Sequence, residues 1–146
     1  MYFVDRKKLE EILNYMNTVL QEVTENRYET FSDRLLLERT THVTIEAILD
    51  VGNMMIDGFI MRDPGSYEDI IDILTDEQVL PKGEEEAYKA FIGLRKMIVQ
   101  EYTAVDHQEI SGIWNQYKAV ILSFPEKVRS YLDTELGPVS TFTNND

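Results

Sequence analysis

The chain has no cysteine among its 146 residues, which excludes disulfide frameworks, thiolate nucleophiles and cysteine-ligated zinc or iron–sulfur centres. Long apolar runs are missing as well. No stretch approaches the roughly 20 residues of a membrane-spanning helix, and the opening MYFVDRKK turns charged too soon for a signal peptide. A cytoplasmic location without membrane contact is therefore expected. The chain has no glycine-rich phosphate loop, no G-x-S-x-G elbow and no H-E-x-x-H pair. It has two histidines, His42 and His107, and neither belongs to a Glu-x-x-His pair of the kind that holds metals inside helical bundles. His42, Glu46 and Asp50 recur at steps of four and could contribute to a metal site, but no second set faces them. No metal and no other cofactor is expected. Basic residues are scarce, 14 against 27 acidic ones, and the net charge of −13 argues against an extended nucleic-acid surface. A local basic site such as Arg95-Lys96 is compatible with that charge, the more so if a second copy of the chain doubles it.

What the chain does have is helical periodicity. A hydrophobic content of 43% with 28% charged residues reads as one globular domain over residues 1–136, followed by a polar tail at 137–146. Leu9, Ile12, Leu13, Met16, Val19, Leu20 and Val23 step by three and four, giving a first helix from Asp5, its N-cap, to about Glu25. Arg6, Lys7, Lys8, Glu10 and Glu11 fill its other face. After the connector Asn26-Arg27-Tyr28-Glu29, a second and long helix is expected from Ser32 to Ile60. Apolar residues cover most of its circumference, so it should be buried on two sides, within the bundle and against another chain. Gly52 and Gly58, each costing about 1 kcal/mol in a helix, mark either close approach of a neighbouring helix or a kink. Asp63-Pro64-Gly65-Ser66 is a turn, and Ser66 with Asp69 opens a third helix to about Glu77 through a capping box. A fourth helix runs from about Glu84 to Tyr102. A fifth opens with the pair Asp106/Glu109 and continues to about Leu136, with a break at Pro125 and Ser123 as a new cap. No segment reads as a strand. The expected fold is an all-α bundle of about five helices.

The sharpest constellation lies on the fourth helix. Phe91, Arg95, Ile98 and Tyr102 are related by steps of four, three and four and form one stripe. A guanidinium on an apolar stripe needs a carboxylate partner or an anionic ligand. One candidate partner is the polar stripe of the second helix, Arg39, His42, Glu46, Asp50, Asn53 and Asp57, which is equally readable as a solvated face. Tyr102 by itself reads as a core aromatic, Trp114 as core, and His107 as an exposed first-turn residue that could also act as a base.

The run Leu94-Arg95-…-Gln100-Glu101-Tyr102, together with Glu38-Arg39, Ile45 to Gly52, Pro64 to Tyr67 and Tyr102 to Asp106, resembles the HepT-like toxins of the HEPN superfamily, over roughly residues 4 to 134. The signature of that family is an arginine, four to six residues, a histidine, one residue and a tyrosine. The resemblance implies a helical homodimer whose motif helices meet in a cleft, and a metal-independent RNA endonuclease acting as a toxin. Its partner would be an MntA-type nucleotidyltransferase antitoxin that transfers AMP to the motif tyrosine. By position Arg95 matches the phosphate-binding arginine and Tyr102 the AMP acceptor. The motif histidine is replaced by Gln100, whose amide cannot exchange a proton near neutral pH. Cleavage is then expected to be weak or lost, unless His107 supplies the proton transfer from the next helix. A protein that binds RNA without cutting it is the related expectation. A non-catalytic helical module, docking on a nucleotidyltransferase or another protein through the broad apolar face of the second helix, is the reading from a different class.

Overall fold

The computed structural model describes residues 3–25 and 28–136. The expected tail at 137–146 and the centre of the first connector lie outside the described residues. The described chain is entirely helical: α1 (Arg6–Glu25), α2 (Phe31–Gly58), α3 (Tyr67–Asp76), α4 (Glu85–Gly93), α5 (Arg95–Gln100), α6 (His107–Leu122) and α7 (Phe124–Leu136). These are the five expected helices, with the fourth and fifth each interrupted by one residue. None is long and apolar enough to cross a membrane.

The long helix α2 is the axis of the bundle, packing against α1 along much of its length and against α3, α4, α5 and α6 elsewhere. It starts one residue earlier than the periodicity predicts because Thr30 and Asp33 form a reciprocal capping box. Three buried threonines sit on it without breaking it. Thr40 and Thr41 donate to Leu37 O at 3.1 and 2.7 Å, and Thr44 donates to Thr40 O at 2.8 Å, so each of these hydroxyls is satisfied within the helix. Gly52 is where α3 comes closest: a Cβ there would lie 2.6 Å from Ile70 Cγ2 and 3.3 Å from Leu74 Cδ1. Close approach, and not a kink, explains that glycine. At Gly58, the last residue of the helix, a Cβ would meet Val4 and the Phe3 carbonyl, and Phe3 N–H donates to Gly58 O at 3.0 Å. The chain then leaves the helix through Ile60, whose φ of 55° is costly for a β-branched side chain.

Aromatic rings fill the space between α4, α6 and α7. Phe91 meets Trp114 edge-on at 4.6 Å and Tyr88 meets Phe124 at 5.8 Å. The indole N–H of Trp114 donates to Thr41 Oγ1 at 2.8 Å, so the expected core tryptophan also ties α6 to α2. The Tyr88 phenol is driven upward in pKa by burial and donates to Val120 O at 3.3 Å.

Four local expectations need correction. The fourth helix is not continuous: Leu94 keeps helical dihedrals, but its N–H bonds to Phe91 O, one residue short of the α pattern. It ends at Gln100, so Tyr102 lies beyond it in a turn closed by Ala104 N–H on Glu101 O at 2.9 Å. Ser66 does cap α3 by accepting from Asp69 N–H at 3.1 Å, yet the Asp69 carboxylate turns to Arg62 and to Gly65 N–H. Arg6 belongs to the interior and not to the charged face. It is 4% exposed, lies 3.5 Å from Asp133, and its Nε and Nη1 find no hydrogen-bond partner among the described residues.

Candidate active site

Arg95 opens α5 at the junction of α2, α3 and α5. Its neighbours Leu94 and Ile98 are buried, and anchoring them to the core carries the arginine up against the polar stripe of α2. There Arg95 Nε donates to Glu46 Oε2 at 2.7 Å, and the guanidinium carbon sits 4.9 Å from the ring centroid of Tyr67, the first residue of α3. The hydrogen bond to Glu46 raises the arginine pKa further, partly opposed by desolvation. With the carboxylate on Nε and an aromatic face beside it, the guanidinium has one fixed orientation and about a quarter of the side chain still open to solvent.

The same carboxylate oxygen of Glu46 lies 3.8 Å from His42 Nε2, one turn earlier on α2 and partly exposed. One turn later Asp50, exposed at the helix surface, has its carboxyl pKa raised, first by partial desolvation against the helix and then by the charge of Glu46. One turn before His42, Glu38 bonds the imidazole of His107 at 2.6 Å. The stripe is thus divided: Glu46 reaches α5 through Arg95 and His42 is half-buried beside it, whereas Arg39, Asp50, Asn53 and Asp57 are exposed; Glu38, next to the stripe, reaches the start of α6 through His107. Among the described residues no three side chains of the ligating types are arranged to hold a metal ion.

The residues singled out from the sequence fall in three places. Arg95 sits in the Glu46–Tyr67 junction. Gln100 and Tyr102 lie at the other end of α5, roughly 9 Å on for a six-residue helix, both exposed and Tyr102 70% so. Tyr102 is therefore not the core aromatic its apolar spacing suggested. His107 begins α6 under the Asp106 cap, which accepts from Gln108 and Glu109 N–H groups at 3.1 Å. It is bonded to Glu38, two turns of α2 away from Glu46. Sequence reasoning missed Tyr67, for which no spacing signal exists, because its contact with Arg95 spans two helices. An open groove of about 640 Å³ between the end of α3 and α7 is lined by Glu77, Gln78, Lys127 and Tyr131 among others and includes none of these residues. A smaller cleft of about 460 Å³ borders Tyr67 and Asn53.

An all-helical bundle with an arginine held at the head of a short motif helix defines the class. The family model described as Ribonuclease HepT-like matches residues 7–128, and the chain belongs to that family. It is 46% identical over 143 residues to a Bacillus subtilis (strain 168) protein named "Putative RNase YutE", covering 97% of this chain and 99% of the relative. The solved structure of YutE from Bacillus subtilis, described as a cytosolic protein of unknown function, superposes with a TM-score of 0.92 at 46% identity, over 97% of this chain and all of the other.

Proposed function

We propose that this chain is a HepT-type RNA endonuclease, the toxin half of a toxin–antitoxin pair, working as a cytosolic homodimer without a metal ion. The observation that carries the reading is the fixed guanidinium of Arg95. Its Nε is engaged by Glu46 and its face by Tyr67, leaving the Nη edge to bind a phosphodiester and stabilise the charge that builds on it during cleavage. Family membership and the name of the relative support ribonuclease chemistry. Pairing with an MntA-like nucleotidyltransferase antitoxin draws support from Tyr102, whose 70% exposure leaves the phenol open to AMP transfer. A second chain would bring a second Arg95 to the cleft and offset the overall negative charge locally.

The test is incubation of the purified full chain with tRNA and mRNA, with and without chelator. Cleavage indifferent to chelator and lost in Arg95→Ala is the expected result. Chelator-sensitive cleavage, or cleavage that survives Arg95→Ala, counts against the mechanism. For the partner, mass spectrometry after incubation with an MntA-like enzyme and ATP should find AMP on Tyr102, and none in Tyr102→Phe. The non-catalytic reading is favoured by one feature, the exposed Gln100 at the motif position. It predicts tight binding of the nucleotidyltransferase and no affinity for RNA.

A further inference from the structure

The motif position that should exchange a proton carries an amide, yet the site does contain an imidazole. His42 Nε2 lies 3.8 Å from Glu46 Oε2, the same oxygen that holds Arg95 Nε at 2.7 Å. Imidazole and guanidinium therefore flank one carboxylate oxygen, close enough for a single phosphodiester to touch both. Resting on the RNase reading above, we propose that His42 is the catalytic base of this site, replacing the motif histidine, with Glu46 as the positioning residue that orients Arg95 and stabilises the imidazolium of His42.

Three observations favour His42 over the other candidates. Its side chain is 28% exposed, so substrate can reach it. His107 sits two turns along α2 from Glu46, roughly 12 Å at 1.5 Å per residue, and is already bonded to Glu38 at 2.6 Å. Gln100 closes α5, which is laid against α2 with its head at Glu46, so a base on α2 one turn from Glu46 can serve the substrate bound at Arg95 without any group at position 100. The Glu46 carboxylate stands 3.8 Å from the imidazole, beyond a direct hydrogen bond, so it acts on His42 through its charge, stabilising the imidazolium once it forms. Within one turn of His42 on α2 stand Glu38, Arg39 and Glu46; Arg95 from α5 is bonded to Glu46, and His107 from α6 is bonded to Glu38.

In the step itself His42 Nδ1, the ring nitrogen that does not face Glu46, accepts the proton of a ribose 2′-hydroxyl while O2′ bonds to the adjacent phosphorus. The P–O5′ bond breaks, and O5′ takes a proton from water. The hydroxide left behind is neutralised by the proton that His42 returns to solvent. The products are a 2′,3′-cyclic phosphate and a 5′-hydroxyl end, and Arg95 stabilises the phosphorane charge throughout.

The experiment measures cleavage of a fluorescent single-stranded RNA in EDTA, with affinity for its 2′-deoxy analogue measured by anisotropy. Full chain, His42→Ala, His42→Gln and Gln100→His are compared, each checked by thermal melting. The expected result is a fall in rate of about 10²- to 10⁴-fold for both His42 variants, with affinity for the analogue held within about threefold of the full chain. Loss of the acidic limb of the rate–pH profile and partial rescue of His42→Ala by added imidazole should accompany it; a purely structural role would give neither. Cleavage by His42→Ala at the full-chain rate overturns the proposal. So does a full chain that binds the analogue but never cuts until Gln100→His is introduced, an outcome that leaves the RNase ancestry of the site intact. Failure of every variant to bind or cut RNA overturns the RNase reading as well.

Discussion

Glu46 and Arg95, separated by 49 positions in sequence, share a hydrogen bond of 2.7 Å that joins the central helix α2 to the motif helix α5. The carboxylate does not merely neutralise the guanidinium. It occupies Nε, and so decides which edge of the arginine is left for a ligand. That division sets what substitution of either residue should do.

Glu46→Gln keeps an oxygen acceptor for Arg95 Nε but removes a negative charge from the proposed phosphate-binding site. RNA affinity should rise, while turnover should fall at least about tenfold because both flanking groups lose their charged anchor. Glu46→Ala should lower both. Since both side chains are partly exposed, chemical denaturation should show less than about 1 kcal/mol of change in either variant. Unchanged turnover in Glu46→Gln would remove Glu46 from the machinery.

Arg95→Ala should weaken binding to single-stranded RNA and flatten its salt dependence. Removing one cation from a phosphate lowers the slope of log affinity against log salt by about 0.7. A titration between low and physiological salt checks this, and an unaltered slope would mean that Arg95 does not touch phosphate.

Gly52→Ala should destabilise the protein although alanine is the better helix former. The new methyl would push into Ile70 and Leu74, both buried, and overpacking of about 1–3 kcal/mol exceeds the helix-propensity gain of about 1 kcal/mol. Urea unfolding gives the sign. The displaced α3 carries Tyr67, so activity should fall with stability.

Thr41→Val removes the acceptor of the Trp114 indole N–H. Both groups are buried, and an unpaired donor there costs about 1–3 kcal/mol. Trp114→Phe should cost less in the Thr41→Val background than in the full chain, because the stranded donor then goes with the indole. A double-mutant cycle on unfolding free energies measures the coupling.

The turn leading into Tyr67 gives a pH dependence. Arg62 chiefly, then Gly65 N–H, hold the Asp69 carboxyl below its ordinary value. A depressed carboxyl contributes stability above its unfolded value of about 3.9 and loses it as pH falls through the lower folded value. The melting temperature of the full chain should therefore converge on that of Asp69→Asn as pH drops below about 4. Parallel melting curves across that range would exclude the contribution.

Fold class was legible in the sequence because apolar residues at steps of three and four determine which face of each helix is buried, and caps such as Asp5 and Asp106 act within four residues. The same local rule marked Arg95 as needing a partner and named the stripe that contains Glu46. Helix interruptions were less legible: Pro125 announced the break before α7, but nothing in the composition of α4 announced the tightening at Leu94.

What the sequence alone determined was the all-helical bundle, the family pattern and the arginine at its head, since each follows from periodicity or from residue order. Only the tertiary structure decided that Glu46 and not Asp50 takes Arg95, that Tyr67 stacks on it, that Tyr102 stands exposed, and that His42 shares the carboxylate while His107 goes to Glu38. Those pairings depend on how far α5 is slid along α2, and that offset is fixed by burying Leu94 and Ile98 in the core, a long-range packing choice that no local spacing encodes.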